Sequence, residues 1–173
     1  MCTFLRQAET QAKDFRSKQN RIEQSLNYLR CVSDVHDEKT RSYNMRQIRS
    51  KDTKPEIQVR RFLFSKGFRF RLHAKNLPGK PDIVLPKYCT VIFVHGCFWH
   101  GHEGCKYFTL PKTRTEWWRI KIMSNKQHDA DAMLKLRKQG WKVISIFECE
   151  LKPIVSYLTL NQLAKNLTDD YTD

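Results

Sequence analysis

The 173-residue chain has no apolar run approaching the roughly 20 residues that cross a bilayer. Met1 to Arg30 is broken by charges and holds no apolar core, so it does not read as a secretory signal. There is no internal repeat and no low-complexity tract. Acidic side chains are scarce, with 18 Asp plus Glu against 32 Lys plus Arg, a formal net charge of +14 and a pI near 9.7. Together these absences lead us to expect a soluble intracellular protein with a polyanionic partner, nucleic acid first.

What is present is enough to fold. Hydrophobic residues at 40% and aromatics at 12% exclude disorder throughout, and the length suits one compact domain with a small appendage. The basic surplus is concentrated in residues 34–153, net +13, against +3 in 1–33 and −2 in 154–173. We therefore expect an N-terminal extension over 1–33, a folded domain over 34–153 and a C-terminal tail over 154–173. In a reducing compartment the six cysteines are expected as thiols. Cys89 lies in an apolar run and reads as a small buried hydrophobe.

The elements follow from pattern. Thr40 to Arg49 is polar, basic and compatible with a helix. Asp52-Thr53 can cap a second helix that has Pro55 in its first turn and stops at Gly67. Phe68–Leu72 alternates like a strand, Pro81–Leu85 and Thr90–Val94 are short apolar strands, and Trp141–Phe147 is a last one. Arg114–Gln139 reads as a long helix turning Ile120, Met123, Ala130, Met133 and Leu134 inward. That order predicts an α/β fold, a mixed central sheet flanked by helices.

Three constellations carry chemistry. Cys97, His102 and Cys105 share one loop and Cys149 follows the final strand, three thiolates and an imidazole suited to structural Zn²⁺. Asp82 opens one strand and Val94-His95 ends the next, a place where Mg²⁺-dependent nucleases hold their metal, although Pro-Asp alone is a common turn. Phe98-Trp99 sits beside a candidate zinc ligand, and Trp117-Trp118 follows in the long helix. Rigid aromatics of this kind can wedge between base steps, and can equally be core.

Taken together, Asp34-Val35-His36-Asp37, Thr40-Arg41-Ser42, Asn44-Met45-Arg46, Leu77–Asp82, Val91-Ile92-Phe93, His95–His100, Thr113–Glu116 and Glu148-Cys149 resemble the very short patch repair (Vsr) endonucleases. The resemblance runs from Asp34 to about Pro153. It implies a restriction-endonuclease-like fold and a hydrolase that nicks DNA 5′ to the thymine of T:G mismatches left by 5-methylcytosine deamination, initiating very short patch repair. It implies Asp82 and the Val94 backbone carbonyl as Mg²⁺ ligands, and His100 as general base with Asp129 orienting it. Glu56 and His95 are the implied supporting polar residues. Cys97, His102, Cys105 and Cys149 are the implied Zn²⁺ ligands, although the loop has one extra residue before Cys105. Phe98, Trp99 and Trp118 would intercalate, while Arg41 and Arg46 would meet phosphates. The implied partners are mismatched double-stranded DNA, mismatch-repair proteins and a downstream DNA polymerase, for a monomer in the cytoplasm at the nucleoid. A type II restriction-type endonuclease on the same scaffold, or a zinc-stabilised DNA-binding module without catalysis, are the competing readings.

Overall fold

The computed structural model describes residues 37–168; the N-terminal extension expected over 1–33 lies outside them, as do 34–36 and 169–173. The described residues fall into two units, one of 37–47 with Pro111–Thr115, the other of Ile48–Leu110 with 116–168. In the first, Asp37 Oδ1 accepts from the Thr40 amide at 2.8 Å, an Asx cap for helix α1 (Glu38–Gln47). Arg46 is solvent-exposed in its last turn, where a cation suits the carboxyl end of a helix.

The second unit begins with helix α2 (Lys54–Ser65), started by a capping box between Thr53 and Glu56, with Pro55 in its first turn. Gly67 at φ +84° releases the chain from it. The sheet then runs β1 (Arg71–Leu72), β2 (Ile83–Leu85), β3 (Thr90–His95) and β4 (Lys142–Phe147), in that spatial order. The first two pairings are antiparallel, and β3 pairs with β4 in parallel. A parallel pair needs a crossover, here helix α3 (Thr115–Lys138). Among the described residues no helix is long and apolar enough to cross a membrane.

Period-two alternation divides the core. Ile83, Leu85, Ile92 and Ile146 pack with Val59 and Leu63 of α2 and with Leu160, Leu163 and Leu167 of helix α4 (Ser156–Thr168). Val84, Val91 and Phe93 pack instead with Leu136 of α3. Both faces are covered, so β2 and β3 read as nearly continuous apolar runs.

Four expectations are corrected. The strand expected over Phe68–Leu72 pairs only at Arg71 and Leu72, both exposed at the sheet edge. Cys89 is exposed, because it closes the 3₁₀ turn Pro86–Tyr88 with φ +43°. Residues 156–168 of the expected tail are helical, and their buried leucines complete the core. Finally, α3 keeps only Met133 of its expected face, half-buried against the core: Ile122, Ala132 and Leu136 are buried instead, whereas Ala130 is exposed and Ile120, Met123 and Leu134 are 62%, 63% and 53% exposed. The inward stripe includes Asn125 and Asp129, polar residues that a search for apolar spacing passes over.

Candidate functional site

β2 and β3 are bridged by a side chain as well as by their ladder. Asp82, the residue before β2, accepts through Oδ2 from the Val94 amide at 2.8 Å. Burial pushes its carboxyl above the ordinary range, against the lowering effect of that amide, and nearby Glu56 raises it further. Two carboxylates in one partly dry wall make a place where a hard cation lowers the electrostatic cost. With Oδ2 engaged by an amide, Oδ1 is the oxygen left to a metal. Asp82 could therefore hold a hard cation such as Mg²⁺ through that oxygen.

Past His95 the chain turns at Gly96 into the loop that carries the aromatics. The amides of His100 and Gly101 donate to the carbonyls of Gly96 and Phe98, winding it tightly. Helix α3 then clamps it at three points. Asn125 Nδ2 donates to the Trp99 carbonyl at 2.9 Å, Lys126 Nζ pairs with Glu103, and Asp129 Oδ2 lies 2.6 Å from His100 Nδ1. Gly101, at φ +57°, lets the loop lie so close that a Cβ there would be 2.6 Å from Ile122 Cγ2.

The His100–Asp129 contact is the central chemical feature. A carboxylate on Nδ1 fixes the tautomer with its proton there and leaves Nε2 as a lone-pair acceptor. That is the arrangement of an oriented general base. His95 packs its ring 4.0 Å from that of His100, centroid to centroid. It is 5% exposed, its Nε2 has no partner, and burial pushes its pKa down to about 4, the charge of His100 adding to the effect. His95 is therefore a neutral wall of the site. Glu56, Asp82, Val94, His95, Trp99, His100 and Asp129 all line one cavity of about 1040 Å³. Arg49, Lys51, Lys75 and Lys80 also line it, giving it cationic side chains.

The thiol cluster follows from strand register. His95 pairs with Phe147 across the parallel ladder, and Cys97 and Cys149 each come two residues later. The donor atoms of Cys97, His102, Cys105 and Cys149 all lie within 4.8 Å of one another. Cys149 Sγ is 3.3 Å from His102 Nδ1, and the His102 ring stacks on Phe147 with centroids 3.9 Å apart. Burial pushes the Cys149 thiol up to about 12, and the Cys97 and Cys105 sulfurs raise it further. Burial raises Cys97 too, while the Tyr107 amide lowers Cys105. Three crowded sulfurs and one imidazole nitrogen fit a tetrahedral Zn²⁺, which would draw the thiols into their thiolate form.

Phe98, Trp99 and Trp118 form one aromatic group, with ring centroids separated by 5.2 to 5.9 Å. Trp117 stands edge-on to Trp118 at 4.8 Å and is 55% exposed. Arg46 lies in the other unit, as does Arg41.

Sequence reasoning missed the set around Arg60. Its NH1 pairs with Asp52, its NH2 lies 2.6 Å from Glu56 Oε2, and NH2 is 3.1 Å from His73 Nε2. The Glu56–Arg60 spacing of four on a helix that Glu56 caps was a readable signal. The separation of His73 in sequence hid the rest. Asn125 and the cavity-lining His128 and Glu148 were also missed.

The family model described as DNA mismatch endonuclease Vsr matches residues 33–106. The chain is 46% identical over 139 residues to the type II nicking enzyme V.NmeAIP of Neisseria meningitidis, covering 80% of this chain and 99% of that protein. It is 51% identical to the type II nicking enzyme V.XorIIP of Xanthomonas oryzae pv. oryzae over 66% of this chain and 83% of that one. It is 45% identical to the DNA mismatch endonuclease Vsr of Escherichia coli over 70% of this chain and 77% of that one.

Proposed function

Because the chain belongs to the Vsr family of DNA mismatch endonucleases, we propose that it nicks one strand of duplex DNA 5′ to the thymine of a T:G mismatch, initiating very short patch repair. The observation that carries this reading is the cavity in which Asp82, Val94, His100 and Asp129 meet Trp99 of the aromatic group. Hydrolytic residues and a candidate wedge share one cleft.

Mg²⁺ bound by Asp82 and the Val94 carbonyl would supply positive charge beside the scissile phosphate and its leaving oxygen. His100 Nε2 takes a proton from the attacking water, and Asp129 holds the ring and stabilises the imidazolium that forms. The new bond joins water oxygen to phosphorus, and the bond to the 3′-oxygen breaks. The products are a 3′-hydroxyl, protonated from solvent, and a 5′-phosphate. That 3′-hydroxyl is a primer end for a DNA polymerase. His95, neutral and buried, keeps the side of His100 dry without competing for the proton. Zn²⁺ on Cys97, His102, Cys105 and Cys149 would hold the aromatic loop to the end of β4.

Phe98, Trp99 and Trp118 insert at the mismatch, where a wobble pair stacks poorly and opens at lower cost. Arg41 and Arg46 contact phosphates, which positions the protein without reading sequence. The sheet order, antiparallel through β3 and then parallel to β4, supports a restriction-endonuclease-like core over 34–153 with α4 added. We place this enzyme in the cytoplasm at the nucleoid as a monomer, acting with mismatch-repair proteins. The test is nicking of a mixed pool of T:G duplexes against their T:A counterparts, with cut sites sequenced. Cuts confined to T:G duplexes, in one strand, support the reading; double-strand cleavage of matched DNA replaces it with a restriction activity.

A further inference from the structure

Thirty-two Lys and Arg residues give this protein its charge, and one of them is turned away from any polyanion. Arg60 is only 9% exposed, does not line the cleft, and gives its two terminal nitrogens to carboxylates of the protein, Glu56 in the interior and Asp52 at the surface. Its Nε is buried without a partner, so the guanidinium is engaged by the protein's own side chains more than it is presented to a phosphate. What it holds does line the cleft: Glu56, 3% exposed, and His73.

We propose that Arg60 is a positioning residue for nicking, clamping Glu56 and His73 into the wall of the cleft that contains Asp82. This rests on the function proposed above. Three observations carry it. The guanidinium bridges helix α2 to the end of β1, since Glu56 sits one helical turn before it and His73 directly follows Leu72. His73 is held in a left-handed conformation, φ +48°, which an unconstrained histidine does not favour, and its amide donates to the Asp82 carbonyl at 3.4 Å. His73 Nε2 faces the guanidinium at 3.1 Å and, beside it, Asp52 Oδ1 at 3.6 Å, so Arg60 and its partner Asp52 together border that edge of the ring. One side chain thus fixes a carboxylate, a ring orientation and the approach to Asp82. Lysine keeps the charge but not the fork that spans three partners.

The test compares Arg60→Lys, Arg60→Met, Glu56→Gln and Arg60→Met/Glu56→Gln on a T:G duplex. The expected result is a fall in kcat of about tenfold or more for both Arg60 variants with KM within twofold, and a double variant no slower than Glu56→Gln alone. A raised KM at constant kcat would make Arg60 a phosphate contact, and multiplicative losses in the double variant would show that it does not act through Glu56. Either overturns the proposal, as does wild-type kcat. If Arg60→Met does not fold, Arg60→Lys carries the same comparison. A parallel readout needs no substrate: the imidazole ¹⁵N resonances of His73 should differ between the wild type and Arg60→Lys. Unchanged His73 signals sink the clamp, whereas a wild-type protein that fails to nick T:G duplexes, with His73 signals responding, sinks only the proposed substrate.

Discussion

Replacing Asp129 by Asn changes one charge and almost no shape. The carboxylate lies 2.6 Å from His100 Nδ1, and the two side chains are 27% and 28% exposed. A charge-assisted hydrogen bond of this kind contributes about 1.5–3 kcal/mol, and a neutral one about 0.5–1.5 kcal/mol. Asn can still accept from Nδ1–H through its amide oxygen, so the loss is the difference, about 1–1.5 kcal/mol, or about tenfold in rate. Asp129→Ala loses the whole contact and frees the ring, with an expected loss of about 10- to 100-fold. Asn125, one turn earlier on the same helix, still holds the Trp99 carbonyl in both variants, so DNA binding should be kept. Single-turnover nicking at saturating enzyme reads the rate, and fluorescence anisotropy of a labelled duplex reads binding. Wild-type rates in Asp129→Ala, or a loss confined to binding, would refute the orienting role.

Asp82→Asn should abolish nicking while DNA affinity holds, because a neutral amide is a poor Mg²⁺ ligand; unchanged turnover removes Asp82 from the site. Purified wild type should carry one zinc per chain by metal analysis, and Cys149→Ser should lose it and melt well below wild type. Cys89→Ser, at an exposed turn, should melt within a degree or two. Trp99→Ala should lower the ratio of T:G to T:A nicking, whereas Arg46→Ala should weaken both alike and reduce the salt dependence; the reverse pattern would assign mismatch reading elsewhere. Gly101→Ala should destabilise by about 1–3 kcal/mol in thermal unfolding, since its Cβ would meet Ile122 Cγ2 at 2.6 Å on a left-handed backbone.

Local signals were read well and rotations were not. Thr53, Pro55 and Gly67 placed α2, and the β-branched run of Thr90–Val94 placed β3, because capping and strand preference act within a few residues. The face of α3 went wrong because Asn125 and Asp129 occupy inward positions to serve the loop, displacing the apolar stripe from the buried one. Asp129 was named from family resemblance alone; in sequence it is an acidic residue on an otherwise polar turn. The Arg60 set needed β1 and α2 brought together, which no short window contains. The helix of the tail lies past Pro153, where the basic surplus and the family resemblance both end, so the helical spacing of Leu160, Leu163 and Leu167 fell outside the expected domain.

The placement of Cys97 and Cys149 two residues beyond a parallel pair, His95 opposite Phe147, has a bearing on how the chain assembles. A strand slipped by one position would move one sulfur about 3.3 Å along the sheet and turn it to the opposite face. The four donors gather only when the pairing is correct, so capture of an ion there would proofread the register. The pairing it inspects is also the hardest to reach, a parallel contact closed across the whole of α3, whose chain entropy must be lost before any ladder bond forms. An ion bound there would therefore arrive late, as a latch on a sheet already in register.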